Sequence, residues 1–394
     1  MPNAVTLPRL RGPGGRRLRV AHLTTVDISL MVLLGTELRA DVDGGLEVFG
    51  ISAPGPWVER IEELDVTHVA LPSLTRSWNV SRDLAGAREL FAAVRRLDLD
   101  VLHTHNPKTG VLGRLLGRAA GVPVVVNTCH GLWLRPGDGL ARKAFVLGLE
   151  SLAATVSHAE LYQNAEDRHT LRRIVRESRS RLVGNGIDLT RFGHDLDGRA
   201  RVRNELGVAD DELLVGAVGR RVAEKGIAEY GAAARTLSGK ARFIWVGPDD
   251  PDKPDALLTD EPGVEFLGER LDMPALYSAL DVFVLPSHRE GFSRSGMEAA
   301  ACGVPSVLSD IRGCREIGTH EREVLLTPPH DAESLTGAIE RLLLDAPMRA
   351  RLGRAARERA LAEFDQLAVA RASLETYAAV ARRKHLGWIN EGEE

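Results

Sequence analysis

Cysteine is the first shortage: the 394 residues hold three, Cys129, Cys302 and Cys314, with no C-x-x-C spacing. An odd, scattered set excludes a disulfide framework and a zinc knuckle, and it points to a reducing compartment. Long apolar runs are also missing, and none reaches the ~20 residues that span a bilayer. The opening MPNAVTLPRLRGPGGRR lacks the apolar core of a signal peptide, so 1–17 read as a disordered leader on a cytoplasmic protein. There is no basic excess. Lys plus Arg number 51 against 55 Asp plus Glu, a net charge of −4, which argues against nucleic acid as a partner. Neither G-x-x-x-x-G-K-[S/T] nor a G-x-G-x-x-G after the first strand is present. P-loop ATPase and nicotinamide-dependent dehydrogenase readings therefore lose their main support. No low-complexity tract and no solenoid repeat is found.

What remains is a long chain, 44% hydrophobic and 27% charged, with the composition of a soluble globular protein and the length of two domains. Short apolar runs alternate with longer helical patterns. Strands are expected at 18–23, 46–51, 68–71, 101–103 and 122–127, and helices at 30–40, 81–97 and 109–120. A basic stretch at 168–181 and an Asn185-Gly186 turn open a polar segment to 211 that reads as a linker. A second βα series starts at 213 and continues with strands near 243–246, 264–267, 282–285, 305–308 and 324–326. The fold class is α/β: two Rossmann-like domains with parallel sheets and a cleft between them. The expected boundaries are 18–187, 188–365 and a final helix from 366 to 394 that crosses back to the first domain. In such sheets ligands bind beyond the C-terminal ends of the strands.

Two stretches carry chemistry. After the apolar run 282–285, stopped by Pro286, a loop with Glu290, Gly291, Phe292 and Ser293 opens into a helix containing Glu298. Amides at a helix start suit a phosphate, while two acids suit hydroxyl groups, and a nucleotide-sugar offers both. In the second stretch, Gly219-Arg220-Arg221-Val222-Ala223-Glu224-Lys225-Gly226 sits at a strand end, where Arg220 and Lys225 can meet a diphosphate. Alone, such a loop is more often a solvated basic turn; beside an anion-binding helix start the diphosphate reading prevails. In the first half, His130 ends the strand-like Val124-Val125-Val126-Asn127-Thr128-Cys129, and His103-Thr104-His105 follows another strand. The H-x-H has no evident carboxylate partner, which counts against a metal there.

Together these segments, with Asn185-Gly186-Ile187-Asp188 and Gly303-Val304-Pro305, resemble the retaining GT-B glycosyltransferases of family GT4 over nearly the whole chain. The resemblance implies transfer of a hexosyl or N-acetylhexosaminyl group from a nucleoside-diphosphate sugar, UDP or GDP, to a glycan or lipid-linked hydroxyl, with retention and without metal or other cofactor. By position it implies that Arg220 and Lys225 hold the donor diphosphate beside Gly219. Glu298 takes the ribose. Glu290 with the backbone of Gly291, Phe292 and Ser293 takes the sugar and its phosphate. Leu267 lies in the strand and turn that contact the base, and His130 faces the donor sugar. In a family that needs no metal, the H-x-H is implied to serve an acceptor pocket, lined by His105 and Thr25. One departure is the stretch Leu23-Thr24-Thr25-Val26-Asp27-Ile28-Ser29, which has no glycine where many members carry a Gly-Gly loop. Thr-Cys-His-Gly-Leu at 128–132 and Ile311 to Glu316 resemble exopolysaccharide and capsule transferases. Arg142 and Lys143 beside Phe145, Val146 and Leu147 fit either a helix lying on the anionic inner face of the plasma membrane or an ordinary helix with a solvated rim. A nucleotide-sugar 2-epimerase and a non-catalytic nucleotide-sugar-binding partner are the alternatives.

Overall fold

Aliphatic and β-branched runs build two parallel sheets in this computed structural model, which describes residues 6–77, 79–134, 137–251, 253, 255–257 and 259–390. They belong to two units, Met1–Gly184 with Gln366–Glu394, and Asn185–Asp365. A two-residue strand, β1 (Leu10–Arg11), precedes the first sheet, whose strands are β2 (Arg19–Val26), β3 (Glu47–Ala53), β4 (Thr67–Ala70), β5 (Val101–Thr104), β6 (Val124–Cys129), β7 (Ala159–Tyr162) and β8 (Ser180–Leu182). Their order is β4-β3-β2-β5-β6-β7-β8, parallel throughout. The strands read as continuous apolar runs because both faces are covered. Val20 packs with the helices Asp27–Asp43 and Gln366–Arg383 on one side, while Ala21 and Leu23 pack with Val80–Leu97 on the other.

The second sheet comprises β9 (Leu214–Val218), β10 (Arg242–Val246), β11 (Val264–Phe266), β12 (Val282–Leu285), β13 (Ser306–Ser309) and β14 (Val324–Thr327), in the order β11-β10-β9-β12-β13-β14. Both sheets therefore reverse direction beside their first strand, between β2 and β5 and between β9 and β12. Loops diverge at these reversals and leave a crevice.

The expected disordered leader is corrected from residue 6 onward. Strand β1 pairs antiparallel with β15 (Ile389–Asn390), Leu10 is 1% exposed, and Arg16 grips Asp100 through two bonds of 2.6 and 2.7 Å. The glycine-free loop at 24–29 is not a loop. Strand β2 runs to Val26 and a helix starts at Asp27, whose carboxylate accepts from Ile28 N and Trp57 N, both at 2.8 Å. The linker reading also fails, because the segment 185–211 contains the helix Leu196–Leu206, and the basic stretch before it ends in β8. The unit boundary falls at Gly184–Asn185, and the last helix belongs to the first unit. Among the described residues no helix is long and apolar enough to cross a membrane.

Candidate active site

In the second unit the reversal between β9 and β12 brings the two chemical stretches together. Gly226 has φ +76°, and a Cβ there would lie 2.1 Å from the Pro286 carbonyl oxygen, so only glycine lets the two loops touch. The approach places Lys225 Nζ 2.6 Å from Glu290 Oε1, with 18% and 14% of the two side chains exposed. Glu290 is backed by Gly313, where a Cβ would meet its main chain at 2.6 Å. Gly219 is fixed by Trp245, whose Nε1 donates to the Gly219 carbonyl at 2.8 Å. Arg220 does not join Lys225 in this arrangement; its guanidinium pairs with Asp250, a residue that the sequence reading did not single out.

The helix Arg294–Ala301 begins directly after Glu290, Gly291, Phe292 and Ser293. Ser293 caps it, its hydroxyl accepting from Gly296 N at 3.1 Å, and its own N–H points at the Gly313 carbonyl at 3.3 Å. Ser293 thus shapes the helix start, whose dipole favours an anion. The Phe292 ring packs edge-on against Phe364 at 5.8 Å. Glu298 accepts from Tyr277 OH at 3.0 Å and from Arg294 Nε at 3.2 Å, and burial raises its pKa against the pull of both partners. The Leu267 amide donates to the Trp245 carbonyl at 2.9 Å, which continues the β10–β11 ladder.

In the first unit the reversal between β2 and β5 holds a concavity of about 210 Å³, lined in part by Thr25, Ser29, Arg76, Asn106, Lys108 and Trp133. Asn106 stands at φ 64°, ψ 153°, a conformation costly for any residue but glycine, and accepts from Thr25 N at 3.3 Å. Lys108 is anchored to the Thr75 and Ser77 carbonyls at 3.0 and 2.8 Å. His105 does not line this concavity, contrary to expectation, because it is fully buried at the end of β5.

His105 belongs instead to a histidine cluster. Asp41 Oδ2 meets His22 Nε2 at 2.8 Å, His22 Nδ1 meets His105 Nε2 at 3.1 Å, and His105 Nδ1 meets His130 Nε2 at 2.9 Å. His103, in register with His22 across β2 and β5, bonds Tyr377 OH and Thr128 Oγ1, each at 2.7 Å, with Glu37 at 3.5 Å. His22, His103 and His105 could converge on an ion. Each of their ring nitrogens is already hydrogen-bonded within the protein, so the donor set is saturated. A carboxylate partner for the H-x-H does exist, Glu37 beside His103, while Asp41 holds the neighbouring His22. Sequence reasoning missed both acids and His22, although a histidine inside the apolar run Val20-Ala21-His22-Leu23 was a visible signal. Burial lowers His130 to about 4, although a hydrogen bond to the Gln163 side chain favours the charged ring, so the ring is neutral at pH 7. His103 and His105 are held well below the ordinary histidine value by burial and by the neighbouring rings. For His22, burial opposes the charge but Asp41 outweighs it. A second grouping, Glu229 with His288 and His330, lies at the β12 end of the other sheet, with His288 Nε2 2.9 Å from Glu229 Oε1.

Residues 198–359 match the model described as glycosyl transferases group 1, and 30–186 match a glycosyl transferase 4-like domain. The chain is 28% identical to the UDP-Gal:alpha-D-GlcNAc-diphosphoundecaprenol alpha-1,3-galactosyltransferase of Escherichia coli, over 74% of this chain and 78% of that one. It is 30% identical to the D-inositol 3-phosphate glycosyltransferase of Xylanimonas cellulosilytica, over 72% and 73%. Its fold matches Anabaena HepE, solved with UDP and glucose, with TM-score 0.79 and 20% identity over 92% of this chain and 100% of that one. With both units matched in order, the chain belongs to the group 1, GT4-type glycosyltransferases.

Proposed function

We propose that this glycosyltransferase moves a sugar from a nucleoside-diphosphate sugar to a hydroxyl of a lipid-linked glycan, with retention of anomeric configuration, in bacterial polysaccharide or glycolipid synthesis. The observation that carries the reading is the Lys225–Glu290 pair at the reversal of the second sheet. Each residue holds the other in place for its partner on the donor: the ammonium for the diphosphate, the carboxylate for the sugar hydroxyls. Bond breaking puts negative charge on the departing phosphate. Lys225, Arg220 and the start of the helix Arg294–Ala301 oppose that charge, each contact being worth a few kcal/mol in the transition state. These fixed charges do the work a cation would do, so the reaction needs no metal. Glu298 takes the ribose, and His130, as a neutral ring, takes a hydroxyl of the donor sugar.

Retention follows from attack by the acceptor hydroxyl on the face that the diphosphate leaves, with the departing phosphate accepting its proton. Glu290, pinned by Lys225 and by the Gly313 backbone, is suited to grip hydroxyls and poorly suited to attack the anomeric carbon. The concavity of the first unit is the acceptor seat, where the exposed Arg76 supplies positive charge for a diphosphate and Lys108, paired with Asp83, holds the wall in place. Two features of relatives support this chemistry: the diphosphoundecaprenol acceptor in the name of the Escherichia coli enzyme and the UDP found with HepE. Phe145 and Leu152, 59% and 54% exposed, share a face of the helix Leu140–Val156, as a helix lying on an anionic membrane would require. Much of the basic stretch 168–181 is internally engaged, Arg168 with Glu177 and Arg181 with Glu375. The membrane reading therefore rests on the helix. Salt-sensitive flotation with anionic vesicles tests it, and absence of binding removes it.

A thermal-shift screen against UDP-, GDP- and ADP-sugars tests the donor assignment. A ligand at 100 times its Kd adds about 2.7 kcal/mol to the native state. A rise with one nucleotide class in the wild type, lost in Lys225→Ala, is expected; no rise with any of them contradicts the reading.

A further inference from the structure

We propose that Asp41, His22 and His105 form a buried relay through which the proton on the His22–Asp41 pair decides whether His130 offers a hydrogen-bond donor or an acceptor to the sugar. The proposal rests on the reading of His130 as a sugar-binding residue, and it makes the other three positioning residues.

The geometry is an unbranched chain. Asp41, His22 and His105 are 0% exposed, and contacts of 2.8, 3.1 and 2.9 Å run from Asp41 to His130 with no gap. His130, at the C-terminal end of β6, is the only member that reaches the surface in part. His103 stands beside the chain and does not interrupt it, since Tyr377 and Thr128 occupy both of its nitrogens.

A neutral imidazole has one N–H and one bare nitrogen, and a carboxylate has no hydrogen to give. With His22 neutral, its Nε2–H must face Asp41. Its Nδ1 then accepts from His105 Nε2–H, and His105 Nδ1 accepts from His130 Nε2–H, so His130 keeps Nδ1 bare as an acceptor. With His22 protonated, it donates from Nδ1 as well, and every bond beyond it reverses. His105 and His130 then carry their hydrogens on Nδ1, and His130 offers a donor. His105 and His130 therefore share one tautomer in either state and change together. The other polar groups near the cluster are Glu37 on the Asp41 helix, His103 and Thr128 on β5 and β6, Tyr377 and Ser373 on the last helix, and Gln163 after β7. The Gln163 side-chain amide hydrogen-bonds His130 and can turn to donate or accept as that ring changes. Burial keeps His105 and His130 from carrying the charge themselves, so an added proton settles at the His22–Asp41 end. A structural role alone would not need this arrangement, because apolar side chains at these strand positions would avoid the cost of burying polar groups.

The test is a long-range nitrogen–proton NMR spectrum of the wild-type protein with labelled histidine, recorded from pH 5 to 9. His105 and His130 should show the same tautomer at each pH and switch in one step as His22 gains or loses its proton. Opposite tautomers in the two rings, a His130 tautomer indifferent to His22, or one zinc per chain bound through His22, His103 and His105 would each overturn the relay. In Asp41→Asn the amide can either donate or accept, so the bias is lost. That variant should lose roughly 10- to 100-fold in kcat, with the donor KM within about twofold and without the wild-type pH step. Unchanged kcat and pH profile in a folded Asp41→Asn would also overturn it. Full transfer by His130→Ala would instead remove the assigned role of His130, while the wild-type spectra would still decide whether the relay exists.

Discussion

Lys225 and Glu290 lie 65 residues apart and hold each other at 2.6 Å with less than a fifth of either side chain exposed. A charge pair so shielded keeps its strength for a ligand charge. Replacing Lys225, Glu290 or His130 with Ala should each lower kcat/KM by at least ~100-fold, and full activity in Lys225→Ala would remove the diphosphate assignment. Dialysis against EDTA should leave transfer unchanged, because the proposal assigns the charge on the donor diphosphate to Lys225 and Arg220; loss restored by Mg2+ would contradict this. Tyr277→Phe should destabilise by about 1–3 kcal/mol, because the buried Glu298 carboxylate loses a donor, and a denaturant titration reads it. At this scale the sequence revealed the residues that stand in tight motifs. It did not reveal their distant partners, Asp250 for Arg220, Tyr277 for Glu298 and Asp41 for His22, because nothing local marks a contact made across tens of residues.

Elements were legible where apolar periodicity was strong. Both central strands, β2 and β9, follow from the βα rhythm, whereas the strand order that reverses beside each does not, because alternation alone leaves the order open. The stretch 168–211 failed because its structure rests on polar groups. Strand β8 is an edge strand with Leu182 exposed, and the helix Leu196–Leu206 is held by an Asp195 cap and by Arg199 and Arg203 on Asp281. The contact between loops at Gly226 gives a sharp prediction. Gly226→Ala should cost at least ~2 kcal/mol through positive φ and the clash with Pro286, and should displace Lys225. A wild-type melting curve together with wild-type activity would contradict it. On the helix Asp27–Asp43, burial raises Glu37 from 4.5 to about 7. Between those values the folded protein keeps a proton that the unfolded chain has released, so this group's contribution to stability falls as pH rises through the window. Glu37→Gln should therefore match wild type near pH 4 and exceed it by about 1–3 kcal/mol at pH 8. An equal difference at both pH values, by urea titration, would refute the assignment.

For the whole molecule, the chain returns to its first unit only after residue 365, and that return is part of the core. Leu374, Tyr377 and Val380 bury fully against β2 and the helix Asp27–Asp43. Three such side chains contribute roughly 5–9 kcal/mol, comparable with the stability of an entire domain. Two parallel sheets each reverse their strand order beside the first strand, the place where such sheets characteristically bind ligands, and the proposed function assigns one reversal to the donor and one to the acceptor. The measurement that tests this most directly is incubation of the protein with a nucleotide-sugar, with and without a diphospholipid-linked glycan, followed by NMR of the products. A new glycosidic bond with the anomeric configuration of the donor, formed only when the acceptor is present, is the predicted result. An inverted linkage, or an epimerised nucleotide-sugar formed without acceptor, would contradict the account.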